Sequence, residues 1–457
     1  MPRALRVWSG RLAMTTSAAG RRALVIGSIW PYHNGGARVP GLAKYLPECG
    51  WEPVVLTQPL PADADLPYRV ETVGGDIAGT GLARGLGLEG EGGPRRKLAR
   101  RLGVSSESGL LKWGFKVARE VLQYPDGHRS WRHAALERAL SLVGGEHFDA
   151  VISTSPPVST HLIAAELKRR FGLMWIADFP HLWSQDHGVP YGRVRRSFDR
   201  RLETRTLAGA DALVVTNSEH ARVFAAIHGA ERVHVILHGF DPDTVNYLPV
   251  PLAETFTLTY TGGFSRGVRE PKILLEAVAG LVDQGLVDRR RVDIRFYGRR
   301  QDWVQAQIDG LGLADVAQQC GQAPQWIAFQ RQREAHVLLN FKCEPGVGEG
   351  ILSSKVLEYV AAKRPVLSIG QGSDVADDIL RETHGGIVVR DVAEVRSAVA
   401  EWYAEWSQSG SVAWLGSVGA MERFSQRGMG HQFASLLESD TSGVVHPAPP
   451  PEERVVR

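Results

Sequence analysis

The chain has 457 residues, 43% apolar and 23% charged, an ordinary globular balance that excludes a fibrous or disordered polypeptide and suits two or three domains of about 150 residues each. Its 53 Lys and Arg against 50 Asp and Glu leave a net charge of +3, too small for a general nucleic-acid binder. Three cysteines (Cys49, Cys320, Cys343) without a Cys-x-x-Cys argue against a disulfide framework or a structural zinc, and no run of about 18 apolar residues predicts a membrane span. A cytoplasmic enzyme is expected.

Residues 1–21 lack the unbroken apolar core of a signal peptide and read as a disordered leader. A first strand at 23–28 leads into a turn holding Asn34, Gly35, Gly36 and Arg38. Glycines there let backbone N–H groups approach a ligand closely, because no Cβ intervenes. The Gly-x-Gly-x-x-Gly of nicotinamide and flavin folds is absent. Further apolar strands are predicted at 53–57, 150–153, 174–177, 212–216 and 233–237, mostly separated by helical patterns. That alternation is the signature of a parallel sheet with helices on both faces.

Between them, glycine-rich 72–93 reads as a surface loop, and 94–101 (PRRKLARR) carries five cations and no acid. Residues 109–122 place Leu111, Phe115, Ala118 and Leu122 on one helical face beside Lys112, Lys116 and Arg119. Two readings stand: contact with a membrane surface through 94–122, or plain packing on a domain core. A second basic cluster follows at 192–201. Ser155 and Pro156, in the turn before a helix at Ser159, either shape an acceptor pocket or simply form a rigid turn. Asp178 ends a buried strand, and His181 beyond it is suited to orient or deprotonate a hydroxyl. A loop-capping Asp and a half-exposed His are the alternative.

A linker is expected at 242–254, then a second alternating half with strands at 258–261, 293–297, 337–341, 365–369 and 386–389. Gly262 and Gly263 follow its first strand, and Arg266, Arg269 and Lys272 crowd the next loop. Cations so placed stabilise a departing diphosphate, although each taken singly also fits a solvated surface. In 348–362 (GEGILSSKVLEYVAA), Ser353 and Ser354 open a helix whose first N–H groups suit a phosphate. Lys355 adds charge there, and Glu358 on the same face suits two ribose hydroxyls; a capped helix with an i,i+3 ion pair is the plain alternative. A helix at 421–438 and a disordered tail at 440–457 close the chain.

Several blocks match one family in order and spacing. They are 148–183 (FDAVISTSPPVSTHLIAAELKRRFGLMWIADFPHLW), 211–218 (DALVVTNS), 238–241 (HGFD), 260–277, 348–362 and 364–369 (RPVLSI). Over roughly residues 22 to 436 the chain resembles the GT4-like group of GT-B-fold glycosyltransferases. The resemblance implies an α/β protein of two Rossmann-like, doubly wound parallel-sheet domains facing a central cleft. Residues 22–248 would hold the acceptor, 256–420 the nucleotide sugar, and 421–438 would cross back onto the first domain. It implies transfer of a sugar from a nucleotide-diphosphate sugar to a glycan, lipid-linked or small-molecule acceptor, with retention, in surface-polysaccharide or glycoconjugate assembly. The nucleotide sugar is then a co-substrate, with no other cofactor, no metal and no nucleic acid. Asp178, His181, Arg269 and Lys355 become the catalytic candidates. Gly262, Gly263, Arg266, Lys272, Ser353, Ser354 and Glu358 join Arg269 and Lys355 at the donor, while Asn34, Gly35, Gly36, Arg38, Ser155 and Pro156 line the acceptor side.

Two departures stand out. The family's Asp-Phe-Arg-Asp-x-Trp is here Asp178-Phe179-Pro180-His181-Leu182-Trp183, and the first glutamate of its E-x7-E falls on Gly350. The second departure leaves retention open. A nucleotide-sugar 2-epimerase of the same fold, and a degenerate member serving as a binding subunit, are the rival functions.

Overall fold

The computed structural model describes residues 20–29, 38–62, 64–75, 120–186, 191–245, 250–343, 354–372 and 375–439. The leader up to 19, the stretch 76–119 and the tail lie outside them, as do Asn34, Gly35, Gly36 and Ser353.

The first sheet contains β1 (Arg21–Ile26), β2 (Trp51–Thr57), β3 (Arg69–Thr72), β4 (Ala150–Thr154), β5 (Met174–Phe179), β6 (Ala212–Val215) and β7 (Val233–Val235). Its order is β3-β2-β1-β4-β5-β6-β7, parallel throughout. Helices α1 (Arg38–Tyr45), α2 (Arg129–Gly145), α3 (Ser159–Phe171), α4 (Arg193–Leu207) and α5 (Ser218–His228) lie between the strands in sequence. Side chains alternate across a strand, so β1 feeds two cores at once. Leu24 and Ile26 enter the cluster holding Trp131 and Trp175, whereas Ala23 and Val25 enter the one holding Val39 and Leu42.

The second sheet has β8 (Phe256–Thr261), β9 (Val292–Tyr297), β10 (Ala317–Gly321), β11 (Val337–Phe341), β12 (Val366–Ile369) and β13 (Gly386–Val389), in the order β10-β9-β8-β11-β12-β13. With it come α6 (Lys272–Asp283), α7 (Asp302–Gly310), α8 (Gln325–Glu334), α9 (Ser354–Ala361), α10 (Val375–Thr383), α11 (Val392–Ser409) and α12 (Gln426–Ser439). Along β8, Phe256, Leu258 and Tyr260 face an aromatic core. Thr257, Thr259 and Thr261 are equally buried between them, and Thr261 meets Gln332 of α8.

β3 and β10 are not expected from the sequence. Both lie at sheet edges, where one ladder suffices and no apolar run is needed. The expected linker begins with a helical turn, Pro242–Val245, and the expected last helix is broken into Val418–Glu422 and α12.

α12 does not stay with the second sheet. Its Met429, Phe433, Ala434 and Leu437 pack into the first sheet's core with Val39 and Leu42. Where the chain returns, Phe240 N–H donates to Phe424 O at 3.1 Å and Gln426 N–H to Phe240 O at 2.8 Å. The two passages touch so closely that a Cβ on Gly239 would sit 2.2 Å from the Ser425 carbonyl carbon. Beside them, Tyr45 Oη donates to Asp241 at 2.7 Å, Lys44 Nζ lies 2.9 Å from the same carboxylate, and Arg427 pairs with Glu48 at 2.9 Å. Among the described residues no helix is long and apolar enough to cross a membrane.

Candidate active site

In a doubly wound sheet the connections leave on opposite faces at one point, opening a crevice beyond the carboxyl ends of two strands. In the second sheet that point lies between β8 and β11, which pair in register. The loop after β8 supplies Gly262, Gly263 and Arg269; the loop after β11 supplies Lys342 and Cys343.

Gly262 N–H donates to Tyr297 O at 2.7 Å, and the Tyr260 hydroxyl donates to Gly263 O at 3.1 Å, fixing the turn. A Cβ on Gly262 would fall 2.2 Å from Lys355 Nζ and 2.7 Å from Tyr260 Oη. The glycine therefore makes room for the ammonium, which stands 5.4 Å from the Tyr260 ring centre. Arg269, in the loop after β8, has its Nη2 3.2 Å from Cys343 Sγ in the loop after β11. Its buried Nε has no hydrogen-bond partner among the described residues.

Burial, and next the Arg269 charge, bring the Lys355 pKa down to about 8, against the opposing pull of Glu358. Two cations so close and so dry favour an anion between them. Glu358 is also half-buried. Burial pushes its carboxyl up, and hydrogen bonds from Gln332 and Gln325 together with Lys355 oppose that rise. Gln332, wholly buried, donates through Nε2 to Glu358 at 3.2 Å and to Thr261 Oγ1 at 2.9 Å. Tyr359 Oη completes the net at 2.9 Å from Thr261 N. Sequence reasoning did not single out Gln332, Tyr260 or Cys343.

The structure thus brings together Gly262, Arg269, Lys355 and Glu358. Gly263 is exposed nearby. Arg266 is exposed, and Lys272 turns along α6 to pair with Glu276 at 3.8 Å, making no described contact with Arg269 or Lys355. Ser354 is the first residue of α9.

The first sheet has its own crevice point between β1 and β4. Pro156 is exposed there; Ser155 is buried, its N–H donating to Asp178 O at 3.1 Å. Two expectations need correcting at this sheet. Arg38 and Asp178 were expected at the cleft, but both are shut away from water, with Arg38 Nη2 2.8 Å from Asp178 Oδ1 and both side chains 0% exposed. Arg38 also donates to the carbonyls of Ile236 at 2.9 Å and Leu237 at 3.0 Å, and stacks 5.3 Å from the Phe433 ring centre. A buried charge needs its partner and saturated donors, and this pair has both. They act as a brace joining α1, β5, the end of β7 and α12.

His181 is exposed beyond β5. Burial, then Arg38, then His181 push His238 down to about 3, and burial followed by His181 lowers His220. Three imidazoles thus gather at this sheet end, of which His181 alone is exposed.

Residues 35–239 match the family model described as glycosyl transferase 4-like domain. Among solved structures, the chain is similar to HepE of Anabaena in complex with UDP and glucose: 13% identity, TM-score 0.55, covering 92% of this chain and 100% of that one. Sucrose-phosphate synthase of Thermosynechococcus elongatus follows at 16% identity and TM-score 0.53, covering 92% and 99%. The N-terminal domain of Candida albicans trehalose-6-phosphate phosphatase has 12% identity and TM-score 0.55, covering 93% and 98%. At such identities the likeness is one of fold. No curated protein matches the sequence. The chain therefore has the two-domain GT-B fold and, over residues 35–239, matches the glycosyl transferase 4-like domain.

Proposed function

We propose that the protein moves a sugar from a nucleoside-diphosphate sugar to an acceptor hydroxyl. The observation that carries this reading is the convergence at the β8/β11 crevice of Lys355, which fills the space left by Gly262, and the Arg269 charge, one turn from Glu358. As the anomeric carbon–oxygen bond breaks, negative charge gathers on the leaving diphosphate. Lys355 and Arg269 are set to stabilise it, serving where other enzymes use a divalent ion. Glu358, steadied by Gln332, takes the ribose hydroxyls. On the facing domain His181 orients the acceptor hydroxyl and takes its proton on the imidazole as the oxygen forms the new bond.

HepE is recorded with UDP and glucose, which makes a UDP-sugar the first donor to try. Retention, transfer without metal, a role in surface-polysaccharide or glycoconjugate assembly, and a cytoplasmic place at the inner membrane face belong to the same proposal. The family resemblance and the basic sequence at 94–122 support them.

The test is thermal unfolding with UDP, GDP, TDP, CMP, ADP and NAD in turn. A ligand at about 100 times its dissociation constant adds about 2.7 kcal/mol. Stabilisation by one nucleoside diphosphate, lost in Lys355→Ala, supports the reading. A response to NAD alone overturns it, and binding without transfer to any acceptor favours the binding-subunit alternative.

A further inference from the structure

The outer face of α4 carries charge and apolar surface that no described residue pairs or covers. Both acids of the helix turn inward: Asp199 pairs with Arg195 at 2.8 Å and Glu203 meets His228 at 2.9 Å, all four being buried. Left outside are Arg193, Arg200, Arg201 and Arg205, exposed and without an ion pair among the described residues. Interleaved with them stand Val194 and Phe198, 72% and 53% exposed. Positions 194, 198, 201 and 205 follow one helical stripe.

A second segment widens this surface. Arg195 donates to the carbonyl of Pro125 at 2.6 Å and also to that of Glu120. The Tyr124 ring meets Phe198 edge-on at 6.5 Å. Residues 120–125 thus run beside α4, bringing Val121 and Leu122, 69% and 44% exposed.

Large apolar side chains ringed by arginines, with no acid facing out from the helix, match the boundary of an anionic bilayer. Guanidinium groups take phosphates there, and the apolar groups enter the acyl layer. A nucleic acid would use the arginines but gain nothing from Val121, Leu122, Val194 and Phe198. A second copy packed face to face would set arginine against arginine. The helix follows the β5 end that carries His181, so a bilayer held here lies on the acceptor side of the sheet.

We infer that α4 and residues 121–122 dock the protein on an anionic phospholipid surface. This extends the proposed function to an acceptor anchored in that surface, and in that respect rests on it. The binding itself is measured without sugar or nucleotide, so the two readings fail separately.

The experiment is sedimentation of the full chain with phosphatidylcholine vesicles, with and without about one third phosphatidylglycerol. The wild type should sediment with the anionic vesicles only, less so as salt rises. R193E/R201E and Phe198→Ser, each checked for unchanged melting, should bind about tenfold more weakly. Failure of the wild type to bind, equal binding by both variants, or binding to duplex nucleic acid in place of vesicles would each overturn the inference. So would concentration-dependent dimerisation lost in the same variants.

Discussion

Arg38 and Asp178, 140 residues apart in sequence, meet at 2.8 Å with neither side chain touching water. The pair ties the first described helix to the middle of its sheet, and through Phe433 to the last described helix. Removing one partner strands a buried charge, at a cost of about 3–5 kcal/mol. Asp178→Asn and Arg38→Met should each show that loss in denaturant unfolding, while Arg38→Met combined with Asp178→Leu should recover part of it. Full stability of Asp178→Asn with loss of transfer would return Asp178 to the catalytic group.

Lys355 sets a pH window. Its pKa falls from 10.5 to about 8 on folding, so the folded site gives up its proton before the unfolded chain does. The site is therefore charged below about 8, and the unfavourable cost of burying that charge is relieved as pH climbs toward 10.5. Nucleoside-diphosphate affinity should accordingly weaken between pH 7 and 9 while the fold does not. Lys355→Arg, which keeps its charge, should flatten the profile; an identical slope in that variant would assign the titration to another group.

Gly262→Ala is a sharper probe of the same site. The added carbon meets the far end of a flexible lysine but also the buried Tyr260 hydroxyl at 2.7 Å, so the melting temperature should fall modestly as that ring shifts. The displaced ammonium should cost about tenfold or more in nucleotide affinity, as expected for a charge-assisted contact. Unaltered affinity would separate Lys355 from the diphosphate.

Gln332 holds Glu358 from a different helix. Gln332→Leu should raise the already elevated carboxyl pKa of Glu358 and weaken UDP binding near neutral pH. Binding of the 2′-deoxy and 3′-deoxy forms should suffer less, since the lost contact is to ribose. Equal weakening of all three ligands, measured by calorimetry, would mean that Gln332 supports packing only.

What the sequence revealed and what it hid divide along physical lines. Strands buried on both faces, such as Ala150–Thr154 and Val337–Phe341, announce themselves as apolar runs. Arg69–Thr72 and Ala317–Gly321, at the edges, carry too few apolar residues to do so. Lys355 and Glu358 were readable as one helical face because three residues separate them. Gln332, 26 residues before Glu358, and Arg269, 74 before Cys343, join their partners only through the sheet. Asp178 was legible as a strand end, but not the arginine that closes it off, because a buried partner at long range leaves no local pattern.

The side-by-side passage of Phe240 and Ser425 has a consequence for how the molecule is made. The N-terminal unit emerges from the ribosome first, yet a side of its core is covered by Met429, Phe433 and Leu437, which are synthesised after the whole second unit. Until then Val39 and Leu42 lack that cover, and a fragment ending near residue 239 would carry the same bare face. The first half to be translated is the last to be completed, so a nascent chain stalled in the second half should expose this apolar surface to chaperones and proteases.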